Sequence, residues 1–334
     1  MKWISVLLVC LVLQGCQPTS GEPTDEEKFE ELLKEAEAGD AEAQGKVGSW
    51  YFYGRGVTKD EVEAVKWFRK AADQGLVEAQ THLGICYFDG QGVTKDEVEA
   101  AKWYRKAADQ GDAGAQNKLG GCYENGKGVP RDKVEAVKWY RKAAEQGLAE
   151  AQHDLAVCYE NGDGCSRNQA EAVKWYRKAA EQGLAAAQNN LGSCYLGGQG
   201  IPKNEAEAVK WYRKAAEQGY AMAQNSMGLC YFHGKGFAKN EVEAVRWWRK
   251  AVNHGQAAAQ FNLGACYMIG QGVPKDQETG YMWLLLAGAQ GSELARKKAG
   301  IAEKGLTPEQ RVNGQKRARE WQEAFDKAKE SKGN

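Results

Sequence analysis

Cysteine and histidine are the side chains here that could bind a metal or act as nucleophiles, so their spacing is the first test for chemistry. The 334-residue chain has nine cysteines and four histidines. His82, His153, His233 and His254 occupy four different phases of a 36-residue sequence period. No His-x-x-x-His or Cys-x-x-Cys pair provides the ligand spacing of a metal site. The sequence therefore predicts neither a metal nor a cofactor.

Six of the nine cysteines share one position of the period: Cys86, Cys122, Cys158, Cys194, Cys230 and Cys266. Equivalent helices in neighbouring repeats should lie about 8–10 Å apart, whereas a disulfide needs Cα atoms within about 7 Å. We therefore expect small buried core residues rather than a ladder of bridges. Cys165 stands apart in a glycine-rich turn, and a bridge from it to Cys158 in an oxidising compartment stays open.

Two enzyme motifs were sought and are absent. No serine begins a Ser-x-x-Lys and no Lys-Thr-Gly occurs, so the acylating residues of β-lactamase-like enzymes are missing. Gly121 to Lys127 nearly matches a phosphate-binding loop, but Gly128 replaces the required Ser or Thr. The acidic residues fall at predicted helix caps and solvated faces. The sequence thus predicts that the chain is not an enzyme.

The amino-acid composition indicates which broad class of protein this is. Hydrophobic residues make up 43% of the chain and charged residues 27%, which is typical of an ordered protein. Lys and Arg equal Asp and Glu at 45 each, and the basic residues are spread through the chain. This balance gives no electrostatic case for nucleic-acid binding.

The elements that must position these residues follow from a repeat of 36 residues without insertions. Tryptophans mark each period: Trp67, Trp103, Trp139, Trp175, Trp211, Trp247 and Trp283. An Ala-Gln pair and a Gly-x-Gly turn recur in step with them. Since a short amphipathic unit buries its apolar face only by stacking on neighbours, seven such units predict an all-α solenoid of helix-turn-helix repeats.

Each repeat divides into two helices. In the first, Ala187, Leu191 and Cys194 have the spacing of one helical face, and the Gly-x-Gly turn ends it. The second begins at an Asp or Asn that is followed three residues later by Glu in six repeats, as in Asp60 and Glu63. This spacing predicts a capping box, with hydrogen bonds in both directions between cap and Glu.

Ala-Gln-x-x-Leu-Gly-x-x-Tyr-x-x-Gly-x-Gly followed by Ala-x-x-Trp-Tyr-x-Lys-Ala-Ala resembles the Sel1-like repeat, a relative of the tetratricopeptide repeat. The resemblance covers residues 39–290 in seven repeats. It implies a right-handed superhelix that serves as an adaptor for partner proteins and carries no single activity. Residues 24–38 are predicted to form an N-terminal capping helix, and residues 291–334 form C-terminal capping helices.

The N-terminus is predicted to be a signal peptide. Lys2 precedes an apolar run from Trp3 to Leu13, which is too short to span a bilayer. Leu13-Gln14-Gly15-Cys16 resembles a bacterial lipobox, although Gln14 is unusual there. Residues 1–16 would then be the leader with its lipobox, Cys16 would carry a lipid, and residues 17–23 would be a tether. Gln17 favours an outer-membrane-anchored lipoprotein facing the periplasm; a periplasmic or secreted protein is the alternative.

A partner surface is predicted opposite the core stripe of the first helices, on the expected concave side. The position after Ala-Gln provides Asn117, His153, Asn189 and Asn225. The position after the Tyr that recurs in each first helix provides Phe52, Phe88, Leu196 and Phe232. Amides can bind a peptide backbone and apolar side chains can form pockets. Alternatively, the Asn are only tolerated there and the Phe pack against neighbours.

Three functions remain from the sequence. A protein-interaction scaffold at the cell envelope, binding a peptide or helix of unknown identity, agrees best with the repeats. A peptidoglycan or glycan binder would be expected to expose Trp or Tyr on the concave side, where Asn, Phe and Glu occur instead. A hydrolase of β-lactamase-like type would need a site that the motifs do not reveal.

Overall fold

The computed structural model describes residues 23–333, with side chains to Ser331, and all regular structure within that range is α-helical. The predicted leader, Cys16 and the tether before Pro23 lie outside the described residues. Helices cluster into two compact parts, one ending at Asp112 and the other beginning at Ala113. Over the described residues, no helix has both the length and the apolarity needed to cross a bilayer.

The N-terminal part contains five helices. They are α1 (Asp25–Glu37), α2 (Ala41–Tyr53), α3 (Glu61–Asp73), α4 (Val77–Asp89) and α5 (Glu97–Asp109). In this part α2 with α3, and α4 with α5, form the first two repeats, and α1 packs on α2.

The C-terminal part contains repeats three to seven and two further helices. First helices are α6 (Ala113–Asn125), α8 (Ala149–Asn161), α10 (Ala185–Gly197), α12 (Ala221–His233) and α14 (Ala257–Ile269). Second helices are α7 (Lys133–Glu145), α9 (Gln169–Glu181), α11 (Glu205–Glu217), α13 (Glu241–Val252) and α15 (Gln277–Ala289). They are followed by α16 (Glu293–Lys304) and α17 (Pro308–Gly333). Each first helix packs on its own second helix, which confirms the predicted all-α helical-repeat solenoid.

The second helices begin differently from the predicted capping box. Asp60 accepts hydrogen bonds from the N–H groups of Val62 and Glu63, as an N-cap should. Its own N–H donates to the Tyr51 carbonyl at 2.9 Å, so the reciprocal bond from Glu63 is not needed. Glu63 instead pairs with Lys66. The prediction of a two-way box is wrong here because the end of the first helix already satisfies the cap.

The core between helices is made by the repeated small and aromatic residues. Val65 and Phe68 of α3 are buried against Leu83 and Cys86 of α4, whereas Trp67 of α3 is buried in a cluster with Val47 of α2. The six repeated cysteines are all buried and none of them forms a disulfide, as the spacing predicts. Burial raises the pKa of Cys194 to about 12, which leaves almost no reactive thiolate near neutral pH.

In repeats two, four, five and six, a buried glutamine joins the repeat to the one before it. Gln188 is 4% exposed, and its Nε2 donates to the Ala180 carbonyl at the end of α9, 3.1 Å away. Its Oε1 accepts from Nε2 of Gln218 at the end of α11, 2.8 Å away. Equivalent bonds recur at Gln44, Gln80 and Gln152. This explains why Gln, a residue that is rarely buried, occurs at a fixed core position.

The last helix covers the second helices of the final repeats. Thr307 and Gln310 form a complete capping box at the start of α17. Trp321 packs edge-on against Trp283 with ring centroids 5.4 Å apart. Trp283 thus gains an aromatic cover where earlier repeats place a lysine over the indole, as Lys214 does over Trp211.

Candidate functional site

The predicted partner surface lies on the first helices, away from the residues that pack on second helices. A step of 100° per residue places the second, fifth, sixth, ninth, twelfth and thirteenth positions of each repeat on this side. We call the surface formed by these six positions the first-helix face. Each of the two compact parts has its own portion of this face.

The predicted residues occupy this face but are less open than a free surface would be. Seven of the eight are half-buried: Asn117, His153, Asn225, Phe52, Phe88, Leu196 and Phe232. Asn189 is the exception, since it is 4% exposed. The sequence identified the direction in which the side chains point and did not reveal that His153, Asn189 and Asn225 contact the next repeat.

In the N-terminal part, both phenylalanines pack against the aromatic residue of their own second helix. Phe52 lies 6.3 Å from Phe68, and Phe88 lies 6.4 Å from Tyr104, between ring centroids. This packing is the alternative that the sequence left open for these residues.

A cavity of about 350 Å³ opens on the first-helix face between α2 and α4. Gly45 provides space there, at the position where later repeats carry a side chain. The imidazole of His82 stacks on Phe68 at 5.0 Å, and Lys46 and Trp50 also line the cavity. Sequence reasoning missed this cavity, and Gly45 was the signal that could have revealed it.

In the C-terminal part, His153, Asn189 and Asn225 form hydrogen bonds that cross between repeats, whereas Oδ1 of Asn117 is buried without a hydrogen-bond partner among the described residues. His153 Nε2 lies 3.2 Å from Nδ2 of Asn190 in the next repeat. Asn189 accepts from the Ser226 hydroxyl at 3.4 Å, and Asn225 accepts from Asn262 at 3.0 Å. The three partners Asn190, Ser226 and Asn262 all occupy the sixth position of the next repeat, and sequence reasoning missed them because the contacts depend on how neighbouring repeats are stacked.

Tyrosine hydroxyls from the second helices reach this face between the first helices. Tyr140 donates to Oε2 of Glu124 at 2.8 Å, and Tyr176 donates to Oε2 of Glu160 at 2.6 Å. Burial, reinforced by these carboxylates, raises the pKa of both tyrosines well above the usual value. Each bond fixes a carboxylate on the first-helix face, where the predicted partner-binding residues were amides, His153 and apolar residues.

Leu196 and Phe232 also pack within the C-terminal part. Leu196 lies against the cluster that contains Tyr212. Phe232 lies 5.5 Å from Trp248 between ring centroids, with Nζ of Lys239 5.7 Å from its ring. Both contribute to the repeat core and keep only part of their surface for a partner.

A second cavity, of about 320 Å³, lies on the face between α14 and α16. Phe261, Met268 and Ile269 line it from repeat seven, and Ile301 and Lys298 line it from α16. Phe261 and Met268 occupy the fifth and twelfth positions of repeat seven but were not among the predicted partner-binding residues. Their side chains meet those of α16 only after folding, so the cavity was not predictable from spacing.

The described residues contain no group of three or more His, Cys, Asp or Glu arranged to hold a metal ion. The face instead offers carboxylates, amides and apolar hollows. Such groups can bind another macromolecule by ion pairs, hydrogen bonds and burial of apolar side chains.

Comparison with known proteins agrees with this arrangement. The model of the Sel1 repeat matches seven consecutive segments that together span residues 41–292. A Sel1 repeat protein from Oxalobacter formigenes is 35% identical, covering 83% of this chain and 80% of its own, with a TM-score of 0.66. The antigen c5321 of uropathogenic Escherichia coli, which has an SLR fold, is 28% identical over 89% of this chain and 95% of its own, with a TM-score of 0.52. No curated protein matches the chain.

Proposed function

Because this chain belongs to the Sel1 repeat family, we propose that it is a non-enzymatic scaffold that binds a segment of another protein on its first-helix face. Stacked repeats of this kind provide extended binding surfaces and commonly serve as protein-interaction scaffolds. The proposal applies to each part of the chain separately, since each presents its own portion of the face and its own cavity.

The observation that carries the proposal is the contrast between core and face. Core positions repeat the same few residues: the cysteine position is Cys in six repeats, and the buried glutamine is Gln in all seven. The fifth position changes with each repeat or two, in the order Gly45, Thr81, Asn117, His153, Asn189, Asn225 and Phe261. Packing alone would favour one residue at every repeat, so variation at this position of the face supports a binding role.

The test is capture of a partner with variants that change the face and leave the core intact. Met222 and Ile269 lie on the first-helix face and are 49% and 62% exposed. Val134 and Val242 lie on second helices and are 55% and 50% exposed. Met222→Glu with Ile269→Glu therefore has a matched control in Val134→Glu with Val242→Glu.

Capture is done from an envelope extract of the producing organism, using the protein purified after expression of all 334 residues. We expect a protein that the parent and the valine variant retain and that the face variant loses. Equal retention of that protein by the parent, the face variant and the valine variant would contradict the proposal. A soluble glycan that competes with the bait for this face would move glycan binding ahead of it.

We also propose that the chain is held at the cell envelope by a lipid on Cys16, facing the periplasm. Support comes from the sequence alone, namely the apolar run before Leu13-Gln14-Gly15-Cys16. Labelling cells with radioactive palmitate should mark the parent chain and not Cys16→Ser. Equal labelling of both would contradict the lipid anchor, and unlabelled but exported protein would favour plain secretion.

A further inference from the structure

The first-helix face of the C-terminal part is acidic at the end formed by repeats three and four. Glu124 and Glu160 lie on it at the twelfth position, and Asp154 lies at the sixth. Glu150 adds a fourth carboxylate at the second position. Lys118 is the one Lys or Arg at the six face positions of these two repeats, so carboxylates dominate.

The carboxylates are held in place and lack a strong countercharge. Tyr140 and Tyr176 orient Glu124 and Glu160 from below. Asp154 pairs with the imidazole of its neighbour His153 at 3.1 Å. Among the described residues 23–333, neither glutamate carboxylate has a Lys or Arg nitrogen within 4.0 Å; Nε of Arg131 and of Arg167 donates instead to the backbone carbonyls of Glu124 and Glu160, each at 2.9 Å. A fixed, half-buried carboxylate without an internal partner attracts a cation from outside.

The middle of the face carries no charged side chain. In repeats five and six, the half-buried Asn190, Asn225 and Ser226 occupy the fifth and sixth positions, and the buried Asn189 is hydrogen-bonded to Asn190 and Ser226 beneath them. Amide and hydroxyl groups already bonded to one another keep spare donors and acceptors for a peptide backbone. This stretch therefore suits a chain of any sequence, and it separates the two ends.

The other end of the face is apolar. Phe261, Met268 and Ile269 form one wall of the cavity between α14 and α16. Ile269 and Ile301 are 62% and 65% exposed, so this end of the face presents apolar surface to water. Lys298 lines the same cavity, which disfavours a basic residue beside whatever fills it.

From this gradient we infer that the C-terminal part selects a protein segment that is basic at one end and carries a large apolar side chain at the other. The inference rests on the proposed function and specifies the chemistry of the partner. Three repeat steps of roughly 10 Å separate Glu160 from Phe261. An extended chain advances about 3.4 Å per residue, so about nine residues lie between the basic and apolar groups.

The probes are fluorescein-labelled peptides with two Lys at one end, two Leu at the other and about nine Ser and Gly residues between. Both orders, Lys first and Leu first, are made because a peptide can run along the face in either direction. Control peptides replace Lys with Gln, replace Leu with Ala, or halve the spacer. Binding is measured by fluorescence anisotropy with protein purified after expression of all 334 residues.

Two protein variants change the two ends of the face separately. Glu124→Gln with Glu160→Gln removes charge and keeps an oxygen for each tyrosine, with Glu145→Gln and Glu181→Gln on exposed second-helix ends as control. Ile269→Glu with Ile301→Glu changes the cavity, with Val134→Glu and Val242→Glu as control.

We expect one peptide order to bind the parent about tenfold more tightly than either the Lys→Gln or the Leu→Ala peptide. The glutamate variant should lose only the preference for Lys, and the isoleucine variant only the preference for Leu, since a coupling between two groups disappears when either is removed. Raised salt should weaken the Lys preference alone. Misfolding would abolish both preferences together and is thereby recognised.

Unselective losses, equal binding of the short-spacer peptide, or no binding of any peptide would overturn the inference. If partner capture still depends on Met222 and Ile269 in that case, the proposed function stands and only the stated partner chemistry fails. If capture does not depend on them either, both fail.

Discussion

At the scale of residues, one buried oxygen atom, Oε1 of Gln224, shows that a repeat depends on a hydrogen-bond donor at the end of its second helix. Gln224 is 4% exposed, and its Oε1 has no hydrogen-bond partner among the described residues. In the other six repeats, a Gln at the end of the second helix donates to this atom, as Gln182 does to Gln152. His254 occupies that position here. A buried acceptor without a donor lowers the free energy of unfolding.

We therefore predict that His254→Gln stabilises the protein. The new amide would donate to Gln224, as it does in the other repeats, and contribute about 1 kcal/mol to the free energy of unfolding. Urea denaturation should show a higher midpoint with an unchanged slope. His233→Gln, at an exposed histidine on α12, is the matched control and should leave the midpoint unchanged. A midpoint that does not rise in His254→Gln would contradict this account of the orphan oxygen.

At the scale of elements, the turn between helices is fixed by contact with the previous repeat. Gly200 has a φ of +67°, and a Cβ there would lie 2.2 Å from the Gln169 carbonyl oxygen at the start of α9. Gly183 has a φ of +98° and open space around it. The first glycine is required by conformation and by close approach of backbone, whereas the second is required by conformation alone.

Substituting these two glycines with alanine should destabilise the protein by different amounts. Gly183→Ala should cost about 1–2 kcal/mol, the strain of a left-handed residue with a Cβ. Gly200→Ala should cost clearly more, because the loop must also move off α9. Urea denaturation of both variants compares them directly, and Gly121→Ala, a glycine with normal φ and only a tyrosine hydroxyl 3.7 Å away, is the control. Equal costs for Gly183→Ala and Gly200→Ala would show that the loop is not pressed against the preceding repeat.

At the scale of the whole molecule, the repeats place several buried thiols with a raised pKa in one chain. Burial raises the pKa of Cys86, Cys158 and Cys194 to about 12, and that of Cys230 and Cys266 to about 11. Burial likewise raises the pKa of Tyr212 to about 12. The same groups titrate near 9.0 and 10.0 when unperturbed, so the unfolded chain loses these protons at lower pH than the folded chain.

We predict a steep loss of stability in alkali. Above pH 9 the unfolded state binds fewer protons than the folded state, and the free energy of unfolding then falls as pH rises. Each thiol contributes up to about 1.4 kcal/mol per pH unit between roughly 9 and 11. Urea midpoints should be similar at pH 7 and 8 and drop between pH 9 and 11. Replacing Cys158 and Cys194 with Ala should flatten this drop, and an unchanged slope would show that the thiols are not its cause.

The sequence was sufficient for the fold because its signals are local and repeated. The spacing of Trp, the Ala-Gln pair and the glycine turn predicted two helices per repeat, and the structure confirms them from α2 to α15. The reciprocal bond from Glu63 was predicted wrongly, because the competing acceptor, the Tyr51 carbonyl, lies in the preceding helix. A capping motif is read from one segment, whereas the choice between partners depends on two.

For the candidate site, the sequence determined which positions avoid the core, since helical periodicity fixes the direction of each side chain. Only the tertiary structure decided which of those side chains meet one another. Asn189 accepts a hydrogen bond from Ser226 of the next repeat, and Glu124 accepts one from a tyrosine of its second helix. The cavity between Phe261 and Ile301 exists because α16 stacks on α14. Direction is a property of one helix, but a contact depends on the packing of two, and that packing is set by the whole array of repeats.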